Sequence, residues 1–293
     1  MKTDEKKYYF MEDEKENERL ASKVDPDQFV EKYLKPYLYD GISVLDVGSG
    51  PGVIGRAIGE FCSCDNIVAL DIVSGRVVAA KQNMSGNTKS SATQGDAISL
   101  PFLSNSFDFV MARFLIEYVS NPELAIDEMV RVCKPGGRIF FQDLDGQILW
   151  HYPEDKELQL GLENIMNYLK LYKGFDPFAG RKLYHYAFSA GVSDIYVKAE
   201  SYHFFPGKID RKNYELWEMK FNNAMESATK ILGSRNKALE LKKHFLDYFS
   251  REDTLTYSVV FTVSGIKPKI FPDLALYGGD HNGTNGFEKE GTI

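Results

Sequence analysis

Read from its amino end, the chain alternates between two hydrophobic periods. Residues 11 to 20 are mostly charged or amide and predict an exposed helix. Asp25-Pro26 is a cap and first-turn pair for a second helix, with Phe29, Val30, Tyr33 and Leu34 on its apolar face and Pro36 near its end. A short apolar run, Ile42 to Val47, then predicts a strand. Val53, Ile54, Ala57, Ile58 and Phe61 return to helical spacing. The alternation continues with a strand at Ile67–Leu70, a helix from near Ser74 to Met84 and a short strand ending near Gln94. A strand at Phe107–Ala112, a helix opened by Asn121-Pro122-Glu123 and a strand at Arg138–Asp143 follow. Lys134-Pro135-Gly136-Gly137 reads as the stop of that last helix.

Strands joined to helices by such short connections imply a parallel sheet covered on both faces. Beyond Asp145 the pattern loosens. Residues 154 to 173 read as a helix rich in Tyr and Leu, and Arg181–Ala190 as a helix closed by Gly191. Ser193–Phe204 reads as a long strand, 210 to 250 as two amphipathic helices broken near Gly233-Ser234, and Leu255–Val263 as a last strand. The expected fold is a doubly wound α/β, Rossmann-like protein: a mostly parallel, seven-stranded sheet with helical cap insertions. Its expected parts are an N-terminal helical lid (1–39), a ligand-binding core (40–145) and the end of the sheet with a cap (146–266). Within that third part the cap takes about 146–180 and 205–250. A tail (267–293) rich in Gly, Asn and charge is expected to be disordered.

Composition narrows the classes. The chain has 293 residues, 43% hydrophobic and 26% charged, with a formal net charge of -7. An acidic chain is a poor match to a nucleic-acid backbone, which is bound by clustered Lys and Arg. The cysteines Cys62, Cys64 and Cys133 form neither a disulfide framework nor a C-x-x-C metal pair, so no metal is expected. Met1 to Lys7 lacks a signal-like apolar core, and no stretch is long and apolar enough to span a bilayer. A cytoplasmic location without membrane attachment is the expectation.

The candidate chemistry lies where the first strand ends, in Asp46-Val47-Gly48-Ser49-Gly50-Pro51-Gly52. Glycines there allow a ligand to come close to the backbone. The run Gly50-Pro51-Gly52-Val53-Ile54-Gly55 also fits the dinucleotide pattern G-x-G-x-x-G. In either case an acid about 20 residues on takes the ribose hydroxyls, and Asp71 stands there. Gly95-Asp96-Ala97, the segment Arg113 to Pro122 and Lys134 to Arg138 follow in order.

Taken together these segments resemble the class I S-adenosylmethionine (SAM) dependent methyltransferases, most closely the small-molecule group that includes the ubiquinone and menaquinone C-methyltransferases. The resemblance is strong over 40 to 145 and continues more weakly to about 266. It implies a cofactor site of Asp46, Gly48, Ser49, Gly50 and Gly52 in the turn, with Asp71 and Ile72 at the ribose. Gly95, Asp96 and Ala97 would lie at the adenine, and Arg113, Phe114 and Tyr118 beyond the fourth strand. Tyr9 and Arg19 look like lid residues that reach the SAM carboxylate. Pro51 removes one amide donor from the turn, which disfavours a pyrophosphate and hence a nicotinamide cofactor.

The expected reaction is in-line attack by an N, O, C or S lone pair of a small molecule on the sulfonium methyl. Alignment and exclusion of water are then the main tasks. His151, just after the fifth strand, is the candidate base among four histidines of the later region. Tyr152, Tyr168, Tyr172, Tyr184, Tyr186 and Tyr202 are candidate pocket aromatics. Nucleic acid is disfavoured as a substrate. Ala112-Arg113-Phe114-Leu115 lacks the Asn/Asp-Pro-Pro-aromatic tetrapeptide of amino-methylating enzymes, and there is no Pro-Cys nucleophile. The expected partner is a small-molecule acceptor and the expected state a monomer or homodimer. The alternatives are a SAM-binding regulatory or non-methylating protein, or a nicotinamide oxidoreductase.

Overall fold

Among the described residues seven strands form one sheet in the order β3-β2-β1-β4-β5-β7-β6. The computed structural model describes residues 17, 20, 21 and 24–269. The strands are β1 (Ser43–Val47), β2 (Asn66–Asp71), β3 (Ser90–Gln94), β4 (Phe107–Arg113), β5 (Cys133–Tyr152), β6 (Ser193–Pro206) and β7 (Leu255–Ile266). Strands β1 to β5 pair in parallel, and β7 runs antiparallel between β5 and β6. The doubly wound, mostly parallel fold read from the sequence is the observed one. The proposed tail lies almost wholly outside the described residues, as do the lid residues Tyr9 and Arg19.

Helices pack on both faces. On one side α1 (Pro26–Phe29) runs on through a π turn (Val30–Leu34) and a 3-10 turn (Lys35–Tyr37). Asp25 caps it by accepting the Gln28 N–H at 3.0 Å. With α2 (Val53–Phe61) and α3 (Ser74–Asn83) it buries Phe29, Leu34, Ile58 and Val77 against Val44, Phe109, Met111 and Phe140. On the other side α4 (Pro122–Val132) and α6 (Leu183–Ser189) bury Ile126, Met129 and Leu183 against Leu45, Val110, Ile139 and Phe141. The strands of the parallel part read as continuous apolar runs because both faces are covered.

A third core stands apart from the sheet layers. Helices α5 (Lys156–Lys173), α7 (Arg211–Leu232) and α8 (Arg235–Phe249) share it. Trp217, Phe221, Phe245 and Phe249 meet there with ring centroids 4.5–6.4 Å apart. Such pairs add about 0.5–1.5 kcal/mol each beyond simple burial.

Strand β5 departs from expectation. The sequence predicts it over Arg138–Asp143, yet it extends from Cys133 to Tyr152. The pairing with β7 breaks between Asp145 and Trp150 and then resumes. Gly146 (φ 79) and Gln147 (φ 47) occupy the break in left-handed conformations. This bulge interrupts the alternation of side chains, which is why the second half of the strand has no clear period.

Candidate functional site

A cleft of about 760 Å³ opens at the carboxyl ends of the parallel strands. This is where open α/β sheets place their ligands. Its floor is the turn after β1. Gly48 has φ 72, and a Cβ there would stand 2.7 Å from the Leu115 side chain, so only glycine fits. Gly48 and Ser49 donate their amides to the Leu70 carbonyl at 2.7 and 3.0 Å, which ties the turn to β2.

Asp71 ends β2 and is 4% exposed. Its Oδ2 accepts the Gly50 N–H at 2.9 Å and its Oδ1 the Val73 N–H at 3.0 Å. Arg76 Nη1 stands 3.7 Å from Oδ1. The carboxylate is therefore fixed in direction while each oxygen keeps a second lone pair. Asp46 lies deeper. Its Oδ2 is buried with no partner among the described residues, as is Ser49 Oγ. Burial, with the nearby Asp71 charge adding to it, pushes the Asp46 carboxyl up to about 7, while Arg113 opposes the shift. Asp143, at the end of the parallel part of β5, is fully buried and likewise pushed up to about 7 by burial. It accepts the Glu117 N–H at 3.1 Å and the Leu144 N–H at 2.9 Å.

The cleft gathers most of the residues singled out in the sequence. Asp46, Gly48, Ser49, Gly50, Asp71, Ile72, Gly95, Asp96, Ala97, Arg113, Phe114 and Tyr118 all line it. Gly52 does not. It begins α2 with φ 73 and faces away from the cleft, where a Cβ would stand 2.8 Å from Ala80 Cβ. Nor is His151 among the lining residues. The extension of β5 carries it on to pair with Thr256, and its ring packs on Tyr248 at 5.1 Å. The other histidines among the described residues are also absent from the wall. His203 Nδ1 meets Ser258 Oγ at 2.7 Å, and His244 Nε2 meets Asp155 Oδ2 at 2.7 Å. Of the candidate tyrosines, Tyr172 lines the cleft, while Tyr186 lines a smaller neighbouring cavity of about 230 Å³.

Sequence reasoning missed Arg76 and Glu117. Arg76 sits in the first turn of α3, five residues beyond Asp71. Glu117 is 3% exposed in a 3-10 turn and accepts the Gln147 side-chain amide at 2.8 Å. The signal for it was available: a lone acid within the otherwise apolar and aromatic run Phe114 to Val119.

Comparison with known proteins agrees with this geometry. Residues 45–141 match the family model described as a methyltransferase domain. A demethylmenaquinone methyltransferase of Clavibacter sepedonicus is 34% identical over 99 residues, covering 34% of this chain and 40% of that protein. A malonyl-[acyl-carrier protein] O-methyltransferase of Erwinia billingiae is 33% identical over 112 residues, covering 37% and 41%. The matched region thus spans about two fifths of the length of these curated relatives. Among solved structures, a Bacillus halodurans protein shares the fold with TM-score 0.54 at 18% identity, covering 83% of this chain and 99% of that one. The phosphoethanolamine N-methyltransferase 2 of Haemonchus contortus, solved with S-adenosyl-L-methionine, gives TM-score 0.51 at 15% identity and covers 84% and 60%. The match to the methyltransferase domain model, residues 45–141, takes in the glycine turn and the acids of the cleft.

Proposed function

We propose that this protein is a SAM-dependent methyltransferase acting on a small molecule. The observation that carries the reading is Asp71. It is a buried acid at the end of β2, aimed by the amides of Gly50 and Val73 into a cleft that also holds Asp96 at the end of β3. The partnerless Oδ2 of Asp46 and Oγ of Ser49 are further polar atoms that a bound cofactor would satisfy. The similarity to a demethylmenaquinone methyltransferase supports transfer to a small acceptor.

Bound in this cleft, SAM would supply a methyl group already activated on a sulfonium. The remaining work falls to the chain. Asp71 would accept from the ribose hydroxyls with its free lone pairs, and Asp96 from the adenine amino group. The amides and carbonyls of the glycine turn would hold the amino-acid end. Leu115, Tyr118 and Tyr172, on the wall near β4 and α5, would keep water from the reacting atoms. We infer that α5, α7 and α8 form the cap on the acceptor side, and that the acceptor is not a nucleic acid. Among the described residues no helix is long and apolar enough to cross a membrane.

Calorimetry tests the reading. SAM and S-adenosylhomocysteine should bind in the micromolar range, about -8 kcal/mol. NAD that binds more tightly than SAM would overturn it. Release of S-adenosylhomocysteine from SAM on adding candidate acceptors then identifies the substrate.

A further inference from the structure

Two of the three cysteines meet where α2 ends. Cys62 and Cys64 bring their sulfurs to 3.4 Å. The C-x-C spacing alone does not do this. Cys62 leaves the helix in an extended conformation, φ -144 and ψ 157, and the Cys64 N–H donates to the Cys62 carbonyl at 3.0 Å. A bond of that span closes a three-residue turn on Ser63 and folds the chain back, so the flanking side chains meet. The turn is pinned from outside. The Ser63 N–H donates to Asp40 Oδ1 at 2.9 Å, and the Ser63 carbonyl accepts the Gly41 N–H at 2.8 Å. Both partners lie in the segment that enters β1.

Sulfurs held in this way need little movement to bond, since a disulfide closes the gap to about 2.0 Å. The two thiols are not equivalent. Cys64 is 2% exposed, whereas Cys62 is only partly buried. Burial raises both thiols, Cys64 to about 12, while the hydrogen bond from Cys64 works against the rise at Cys62. Cys62 is thus the sulfur that a soluble oxidant meets first. Cys133 stands elsewhere, fully buried at the start of β5 with its S–H directed at the Arg138 carbonyl at 3.7 Å.

We propose that Cys62 and Cys64 form a reversible redox site, a dithiol that takes hydrogen peroxide as its oxidant and a small thiol as its reductant. In the first step the Cys62 thiolate attacks a peroxide oxygen and the O–O bond breaks. Cys62 becomes a sulfenic acid, and the departing hydroxide takes up the proton that Cys62 gave up. In the second step the Cys64 sulfur attacks the Cys62 sulfur. The S–S bond forms, the S–O bond breaks, and the hydroxyl leaves as water with the Cys64 proton. Two electrons pass from the sulfurs to the peroxide, which ends as two waters. A small thiol reverses the change by attacking the disulfide. A ring this short gains little from loop closure, so the disulfide opens readily. The turn bonds to the segment that enters β1, whereas the cleft opens where β1 ends. The thiol chemistry is therefore independent of what the cleft binds.

The test treats the folded full-length chain with hydrogen peroxide, then denatures it, alkylates it with iodoacetamide and reads it by mass spectrometry. Wild type should carry a single alkyl group, at Cys133, and its peptide spanning Cys62 and Cys64 should be lighter by two hydrogen atoms. Dithiothreitol before alkylation should restore three alkyl groups, one for each cysteine. The reaction should quicken at alkaline pH, because the thiolate is the attacking form. Cys133→Ser should form the same link. Cys62→Ser should keep both of its thiols, and Cys64→Ser should stop at a sulfenic acid on Cys62 that dimedone traps. Should Cys64→Ser fail to fold, Cys62→Ser and Cys133→Ser carry the comparison. Three alkylated cysteines in peroxide-treated wild type would overturn the inference. So would a sulfinic acid on Cys62 in place of the link, or a disulfide that takes in Cys133 or a second chain.

Discussion

The glycine turn and the helical cap are held together over different distances along the chain. At the glycine turn the bonds are short in sequence: Asp71 takes amides 2 and 21 residues away. In the cap they are long. His244 meets Asp155 across 89 residues, and the Tyr248 hydroxyl donates to the Pro153 carbonyl across 95. Each region also has its own buried core, the sheet layers for one and the α5, α7 and α8 cluster for the other. The difference separates two kinds of damage. Change near β1 and β2 should strike cofactor binding, and change in the cap should strike stability and acceptor binding.

The strongest challenge to that division is Phe245→Ala. Phe245 is 1% exposed at the centre of the cap aromatics. Loss of a buried Phe costs about 3–5 kcal/mol. Urea unfolding should show this loss, while folded protein keeps its affinity for S-adenosylhomocysteine within about threefold, well under the 1.4 kcal/mol of a tenfold change. A parallel collapse of cofactor affinity would show that the two regions are not separable.

Asp71→Ala should do the reverse. Its two expected ribose hydrogen bonds are worth about 1.5–3 kcal/mol each as bonds to a charged group, so affinity should fall at least tenfold by calorimetry. Some stability is lost too, because the Gly50 and Val73 amides lose their acceptor. An unchanged dissociation constant would assign the ribose to another acid.

Asp46 sharpens the comparison through pH. Its carboxyl titrates at about 7 in the fold and near 3.8 when unfolded. A raised folded value favours the protonated form in the native state. Stability from this group is therefore fully present below pH 3.8 and falls as pH rises, becoming flat above about 7. The slope for one such proton is at most about 1.4 kcal/mol per pH unit. Denaturation of ligand-free protein between pH 5 and 8 should show a shallower slope for Asp46→Asn than for wild type. The remaining slope should include Asp143, which shifts in the same direction.

The smallest effect should come from His244→Ala. That pair is about one third exposed on the histidine side, so solvent screens it. A loss of about 0.2–1 kcal/mol is expected in the same unfolding assay, with no change in cofactor affinity.

These distances also explain what could be read in advance. The glycine turn, Asp71 and Asp96 were legible because each feature lies at a strand end that periodicity locates to within a few residues. The helices of the cap were legible for the same reason, but not their shared core, since nothing local in 154 to 173 points to Phe245 or Trp217. His151 was placed by its distance after β5, and the bulge at Gly146 and Gln147 carried that strand on past the cleft. Arg113 was legible as a strand-end position. The way its side chain is held depends on Gln142, Phe29 and Tyr202, which arrive from three other segments.

The place of β7 between β5 and β6 constrains how the protein is made. Among the described residues strand β6 has a single neighbour in the sheet, and that neighbour is β7, formed from Leu255–Ile266. On the ribosome, residues 193–206 emerge long before their partner does. Until β7 follows, β5 and β6 both present open edges, which are templates for pairing with other chains. Lys198 and Glu200 within β6 put charge on that waiting strand, a composition that discourages such pairing.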